Sequence, residues 1–160
     1  MKKISVLFIC MGNICRSPMA EGIFNKIIDN KGLNDSFIVD SAGIIGYHEG
    51  EFADSRMQIH ASKRGYKLAH RSRKVVRDDF EKFDFLIAMD EDNFEGLTRL
   101  AQTKSDNEKI YRMVDFSKKF QPTHIPDPYY GGDQGFEHVI DLLEDACGGF
   151  FEKIYTTPNP

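Results

Sequence analysis

Cys10-Met11-Gly12-Asn13-Ile14-Cys15-Arg16-Ser17 is the stretch on which the reading turns. Before it runs Ile4 to Cys10, apolar and β-branched with no Gly or Pro, which reads as a buried strand. After it, Ser17-Pro18 reads as a helix start, with Ser as N-cap and Pro at the first helical position. Ala20, Ile23, Phe24, Ile27 and Ile28 then recur at helical spacing, and Lys31-Gly32 ends the helix. The octet is therefore predicted to be a tight loop from strand to helix. Successive backbone N–H groups in such a loop can converge on an anion, and the helix N-terminus adds its positive dipole end. Gly12 and Asn13 tolerate left-handed backbone, and Arg16 can fork onto two oxygens of a phosphate. The same field favours the thiolate form of Cys10, to whose sulfur Ser17 can donate. The Gly-Lys-Ser/Thr end of a nucleotide-binding loop is missing.

Outward from the octet, strands alternate with helices. Phe37 to Val39 reads as a second strand leading into Asp40-Ser41-Ala42-Gly43, and about Ala53 to Arg64 as a helix closed by Gly65. Phe83 to Met89 is a third strand, Phe94, Leu97, Leu100 and Ala101 mark a helix, and Ile110 to Val114 is a fourth strand. A Pro-rich loop, Pro122 to Gly132, precedes a last helix with an apolar stripe from Phe136 to Ile154. Gly148-Gly149 weakens that helix by roughly 1 kcal/mol per Gly relative to Ala. The expected fold is α/β: a four-stranded parallel sheet flanked by helices on both faces, in three layers, with the anion loop after the first strand. Sites in such sheets lie at the carboxyl ends of the strands. That edge gathers Cys10, Ser41, Asp90 and Asp127.

The chain has 160 residues, 41% hydrophobic and 29% charged, with a formal net charge of −4. Residues 1–155 are expected to form one domain, and 156–160 a frayed tail. Mild acidity argues against nucleic acid or an anionic membrane as partner, but not against an anionic substrate bound at one positive site. No apolar run reaches membrane-spanning length, and Met1 to Cys10 lacks the cleavage site of a signal peptide, so a cytoplasmic location is expected. Three cysteines, Cys10, Cys15 and Cys147, suit neither a disulfide framework nor a zinc site. No metal or cofactor is expected, and a monomer is the default.

The octet, with Asp127-Pro128-Tyr129-Tyr130 placed 117 residues after Cys10, resembles the low molecular weight protein tyrosine phosphatase family. The likeness runs from Ile4 to about Ile154 and includes Asp40-Ser41-Ala42-Gly43, Gly65-Tyr66, His70-Arg71-Ser72-Arg73 and Ala88-Met89-Asp90-Glu91. Cys-x5-Arg alone is shared with unrelated phosphatases. Its place near the N-terminus, with the acid far downstream, makes the match specific.

The resemblance implies hydrolysis of aryl phosphate monoesters on a phosphotyrosine protein or peptide. Cys10 is the nucleophile, Arg16 and the amides of Met11, Gly12, Asn13, Ile14 and Cys15 hold the phosphate with Ser17, and Asp127 is general acid and then base. Tyr47, Tyr129 and Tyr130 form an aromatic slot whose depth favours phosphotyrosine over the shorter phosphoserine. Asn13, Ser41 and His70 brace the loop, and Asp90 supports Arg16. Cys15 matches the family's second loop thiol, able to trap oxidised Cys10, or else simply fills space below the loop; Cys147 lies on the apolar stripe as core. Ile44-Ile45 departs from the family, where a polar residue often stands, and so alters the rim.

The alternative is an arsenate reductase coupled to thioredoxin, on the same fold. That chemistry needs two further thiols in a mobile segment after the third strand, and residues 90–127 contain no Cys. A non-catalytic phosphate-binding module would lack Cys10 or Asp127, and both are present.

Overall fold

A computed structural model of the chain describes residues 2–129 and 131–155. Its strands are β1 (Ile4–Cys10), β2 (Phe37–Gly43), β3 (Phe85–Ala88) and β4 (Ile110–Arg112), all parallel in the order β2-β1-β3-β4. Its helices are α1 (Arg16–Asn30), α2 (Ser55–Lys63), α3 (Asp79–Lys82), α4 (Glu91–Leu100), α5 (Lys104–Glu108) and α6 (Gly132–Ile154).

β1 is paired on both edges, Val6 with Val39 on one side and with Phe85 on the other. Both of its faces are covered as well, which is why its sequence is continuously apolar rather than alternating. Val6 and Phe8 join the core built by α1 and α6, with Phe24, Phe136 and Phe150. Leu7 and Ile9 point the other way, against Phe80, Phe83 and Leu97. The chain leaves β1 to build β2 on one side and later returns to build β3 on the other. The carboxyl end of β1, where Cys10 stands, is thus the switch point of the sheet.

The predicted four-stranded parallel sheet with helices on both faces is observed; its element boundaries differ in instructive places. β2 runs to Gly43, because it pairs with all of β1, from Ile4↔Phe37 to Cys10↔Gly43. β3 and β4 are shorter than the apolar runs that suggested them. After Arg112 the chain tightens into a 3-10 turn, Met113–Phe116, whose Met113 and Phe116 plug the core. Helix α1 starts at Arg16 with Cys15 at the N-cap, not at Ser17-Pro18. Ser17 is fully buried, and its hydroxyl is directed at Cys10 rather than at the helix end. The short helices α3 and α5 have no apolar stripe to announce them; α5 rests on a Thr103/Asp106 capping box.

Gly148 and Gly149 do sit inside α6. A Cβ on Gly149 would lie 1.9 Å from the Phe116 carbonyl oxygen, so the 3-10 turn can pack onto α6 only against Gly. Among the described residues, no helix is long and apolar enough to cross a membrane. Met1, Tyr130 and the expected frayed tail, 156–160, lie outside the described residues.

Candidate active site

The octet forms the loop between β1 and α1, and the scaffold holds it by its carbonyls. The carbonyl oxygens of Cys10 and Met11 accept from the N–H groups of Ile44 and Ile45, each at 3.0 Å. Those of Ile14 and Cys15 accept from Asp54 N–H at 2.8 Å and Met19 N–H at 3.2 Å. The Gly12 carbonyl accepts from the Ser72 hydroxyl at 3.0 Å. By contrast, among the described residues none of the backbone N–H groups from Met11 to Arg16 donates a hydrogen bond within the protein. A loop whose carbonyls are tied outward and whose amides are unspent suits an anion.

Asn13 fixes the curvature of this loop. It is the one non-glycine residue with positive φ among the described residues, at 60°. Its side chain compensates for that backbone by bonding in four directions. Nδ2 donates to the hydroxyls of Ser17 at 2.8 Å and Ser41 at 3.0 Å. Oδ1 accepts from Arg73 N–H at 3.0 Å and pairs with His70 Nε2 at 3.0 Å. Ser17 Oγ in turn lies 3.0 Å from Cys10 Sγ. Gly43 allows the close approach: a Cβ there would meet the Met11 carbonyl oxygen at 2.9 Å.

Behind the network lies a carboxylate that sequence reasoning missed. The Ser41 hydroxyl donates to Glu21 Oε1 at 2.6 Å, and His70 Nδ1 stands 3.2 Å from Asp40 and 3.6 Å from Glu21. Burial, with Asp40 adding to it, pushes the Glu21 carboxyl up to about 7, although the Ser41 hydrogen bond opposes this. Burial lowers His70, while Asp40 works against the shift. Glu21 sits on α1 among residues that read as an ordinary polar helix face, so no sequence signal marked it.

Arg16 is only 3% exposed. Its Nη1 donates to Asp90 Oδ2 at 2.6 Å and to the Ile125 carbonyl at 3.0 Å, and Nη2 lies 3.9 Å from Asp127 Oδ2. Burial disfavours its charge, but Cys10, the Asp90 hydrogen bond and Asp127 outweigh that and raise its affinity for the proton. Asp90 also caps α4 by accepting from Asn93 N–H at 2.8 Å. One residue therefore places both a helix and the guanidinium.

A pocket of about 270 Å³ opens over the loop. Its floor is Cys10, Met11, Gly12, Ile14, Cys15 and Arg16; its walls are Ile45, Tyr47, His48, Asp127 and Tyr129. Cys10, Arg16 and Asp127, drawn from the start and the far end of the chain, therefore share one cavity. A deep thiol beside a buried guanidinium, under unspent amides and with a carboxyl at the mouth, is an arrangement for nucleophilic displacement at an anionic centre.

The family model for low molecular weight phosphotyrosine protein phosphatase matches residues 5–158. The chain belongs to that family. A protein tyrosine phosphatase of Entamoeba histolytica, solved with Hepes in its active site, superposes with a TM-score of 0.92. The two are 47% identical, covering 95% of this chain and 97% of that one. The Pongo abelii low molecular weight phosphotyrosine protein phosphatase is 39% identical, over 94% of this chain and 96% of its own. The Streptomyces coelicolor low molecular weight protein-tyrosine-phosphatase is 39% identical, over 93% and 92%.

In this phosphatase fold the predicted positions fall into two groups. Met11, Gly12, Ile14, Cys15, Tyr47 and Tyr129 line the pocket with Cys10, Arg16 and Asp127. Asn13, Ser17, Ser41, His70 and Asp90 stand behind or beside the loop and hold it. Tyr130 lies outside the described residues. Burial pushes the Cys15 thiol up, so it rests protonated, and Cys147 is fully buried in the core. Besides Glu21, sequence reasoning missed His48, Ser72, Arg73, Gly43 and Asp54. The run His70-Arg71-Ser72-Arg73 carried the signal for two of these as part of the family likeness, but only His70 in it was assigned a role.

Proposed function

We infer that this protein hydrolyses phosphotyrosine in proteins or peptides, with Cys10 as nucleophile. The carrying observation is the pocket that unites Cys10 Sγ, the unspent loop amides, buried Arg16 and Asp127. The Cys10 thiolate attacks phosphorus in line, forming the S–P bond as the P–O bond to the phenol breaks. Ser17 Oγ, 3.0 Å from the sulfur, can donate to the thiolate. Arg16 and the loop amides bind the equatorial oxygens, where transition-state charge spreads. Asp127 gives its proton to the departing phenolate oxygen. It then takes a proton from the water that attacks the phosphocysteine, releasing phosphate and restoring the thiolate. A positioned acid and base contributes typically ~10²–10⁴-fold.

Ile45, Tyr47 and Tyr129 give the walls an apolar and aromatic character suited to an aryl group above the phosphate. A phenyl ring can contact these walls and phosphoserine carries none, which favours phosphotyrosine. The free, unbridged cysteines fit a reducing cytoplasmic setting, and we take a monomer as the working form. The arsenate reductase reading is not favoured: no Cys occurs from residue 90 to 127, and Cys147 is fully buried.

The test is turnover of para-nitrophenyl phosphate by freshly reduced protein in EDTA, with phosphotyrosine and phosphoserine peptides alongside. Turnover that Cys10→Ser abolishes and Asp127→Ala cuts severely, with phosphotyrosine preferred, is the expected result. Absence of turnover by the unmodified chain would overturn the reading.

A further inference from the structure

Asp127 does not hold its own place. It lies between Pro126 and Pro128 in the long connection to α6, and its side chain is 54% exposed. Its Oδ1 accepts from Tyr129 N–H at 3.0 Å, which leaves Oδ2 on the Arg16 side of the mouth. The orientation of the carboxyl therefore depends on where Tyr129 sits.

Tyr129 is gripped by Arg56. Arg56 Nη1 donates to the Tyr129 carbonyl oxygen at 3.0 Å. The guanidinium also lies 5.0 Å from the centre of the Tyr129 ring and 5.0 Å from that of Phe136 on α6. The rest of the fork is fixed from the opposite side: Nε and Nη2 donate to the two Asp54 oxygens at 3.2 Å and 3.0 Å. Asp54 is no loose anchor. It caps α2 through Arg56 N–H and Met57 N–H, and its own N–H donates to the Ile14 carbonyl of the anion loop at 2.8 Å. A continuous path thus runs from the anion loop through Asp54, Arg56 and Tyr129 to Asp127.

We propose that Arg56 is a positioning residue for proton donation by Asp127, clamping the Tyr129 peptide so that the carboxyl faces the leaving oxygen. The proposal rests on the reading of Asp127 as the proton donor. Arg serves here because three of its N–H groups are used at once, in two directions, while its flat face covers two rings; an ammonium group cannot do this. With the clamp gone, the Tyr129 carbonyl loses the Arg56 hydrogen bond and the turn that orients Asp127 loosens. Small misplacements of a catalytic group cost up to about 10²-fold. The cost should fall hardest on leaving groups that most need a proton.

The test is kcat/KM across aryl phosphates from para-nitrophenyl to phenyl, the latter releasing a phenol with a pKa of about 10, like tyrosine. Arg56→Lys, Arg56→Gln, Asp127→Ala and the double variant Arg56→Gln/Asp127→Ala are compared with the unmodified chain. Arg56→Lys keeps the charge, so it separates clamping from simple attraction of the anion. We expect both Arg56 variants to lose about ten-fold more on phenyl phosphate than on para-nitrophenyl phosphate, part of the ~10²–10⁴ a general acid supplies. That extra loss should vanish in the Asp127→Ala background. A uniform loss across the series, or an extra loss that persists without Asp127, overturns the role of Arg56 alone. If Asp127→Ala itself shows no dependence on the leaving group, Asp127 is not the proton donor, and both readings fall.

Discussion

Arg16 and Asp90 form a close ion pair, Nη1 to Oδ2 at 2.6 Å, with the guanidinium 3% and the carboxylate 22% exposed. Asp90 also caps α4. Removing the partner of a buried charge is costly because the charge stays behind. Asp90→Ala should therefore lower stability by about 3 kcal/mol and turnover at least ten-fold. Asp90→Asn keeps the cap on Asn93 N–H and should lose less stability than Asp90→Ala. Chemical denaturation and turnover of both variants check this; equal stability losses would mean that the cap contributes nothing.

Gly43→Ala tests how closely β2 approaches the anion loop. The new Cβ would meet the Met11 carbonyl oxygen at 2.9 Å, the Gly12 carbonyl carbon at 3.0 Å and Asn13 N at 3.1 Å. All three are backbone atoms of the cradle, so relief must come from moving the loop. Turnover should fall at least ten-fold, and inorganic phosphate should inhibit more weakly, while the melting temperature changes modestly.

Glu21 gives stability a pH dependence whose sign follows from its shift. Burial raises its carboxyl from 4.5 to about 7, so between these values the folded chain binds more proton than the unfolded one. Its contribution is full below pH 4.5 and is lost as pH rises through about 7, on the order of 3 kcal/mol in all. His70, lowered by burial, works in the opposite sense, losing stability as pH falls. The comparison with Glu21→Gln isolates the Glu21 part. Urea unfolding at pH 5, 6 and 7 should show the difference between the two chains shifting steadily in favour of Glu21→Gln.

Tyr47 is 81% exposed on the rim and packs edge-on against His48 at 4.9 Å. If the ring stacks on the substrate, its loss should be felt in binding. Tyr47→Ala should raise KM for a phosphotyrosine peptide several-fold, in line with the ~0.5–1.5 kcal/mol of an aromatic pair, and leave kcat nearly unchanged. Stability should move by no more than about 0.5 kcal/mol. An unchanged KM would remove Tyr47 from the binding slot.

Glu21 and Gly43 also mark where the legibility of this site in its sequence ends. Cys10, Arg16 and the strand before them announce themselves because they are consecutive, and local spacing fixes local geometry. Glu21 is invisible because its neighbours Ser41 and His70 lie 20 and 49 residues away in the chain. Gly43 looks like any turn glycine until β2 is laid beside β1. Of the two roles Ser17 suggests, helix cap and partner of the thiol, the structure keeps only the second: Cys15 stands at the N-cap and the Ser17 hydroxyl lies against Cys10 Sγ. The short β4 misled for a related reason: its apolar run continues into a 3-10 turn that packs onto Gly149.

The sequence by itself determined the alternation of strand and helix, the parallel sheet, the loop after β1 and the nucleophile it carries. These follow from periodicity and from residues adjacent in the chain. Sheet topology and the family resemblance already pointed to Asp90 and Asp127; only the tertiary structure decided that Glu21 lies behind Ser41, and that Asp90 and Asp127 meet Arg16 through separate guanidinium nitrogens. Those pairings depend on the sheet order β2-β1-β3-β4, which brings the ends of distant segments to one edge. The physical reason is burial. A charge enclosed among apolar residues must find its partner nearby in space, and what is near in space is set by how the layers pack.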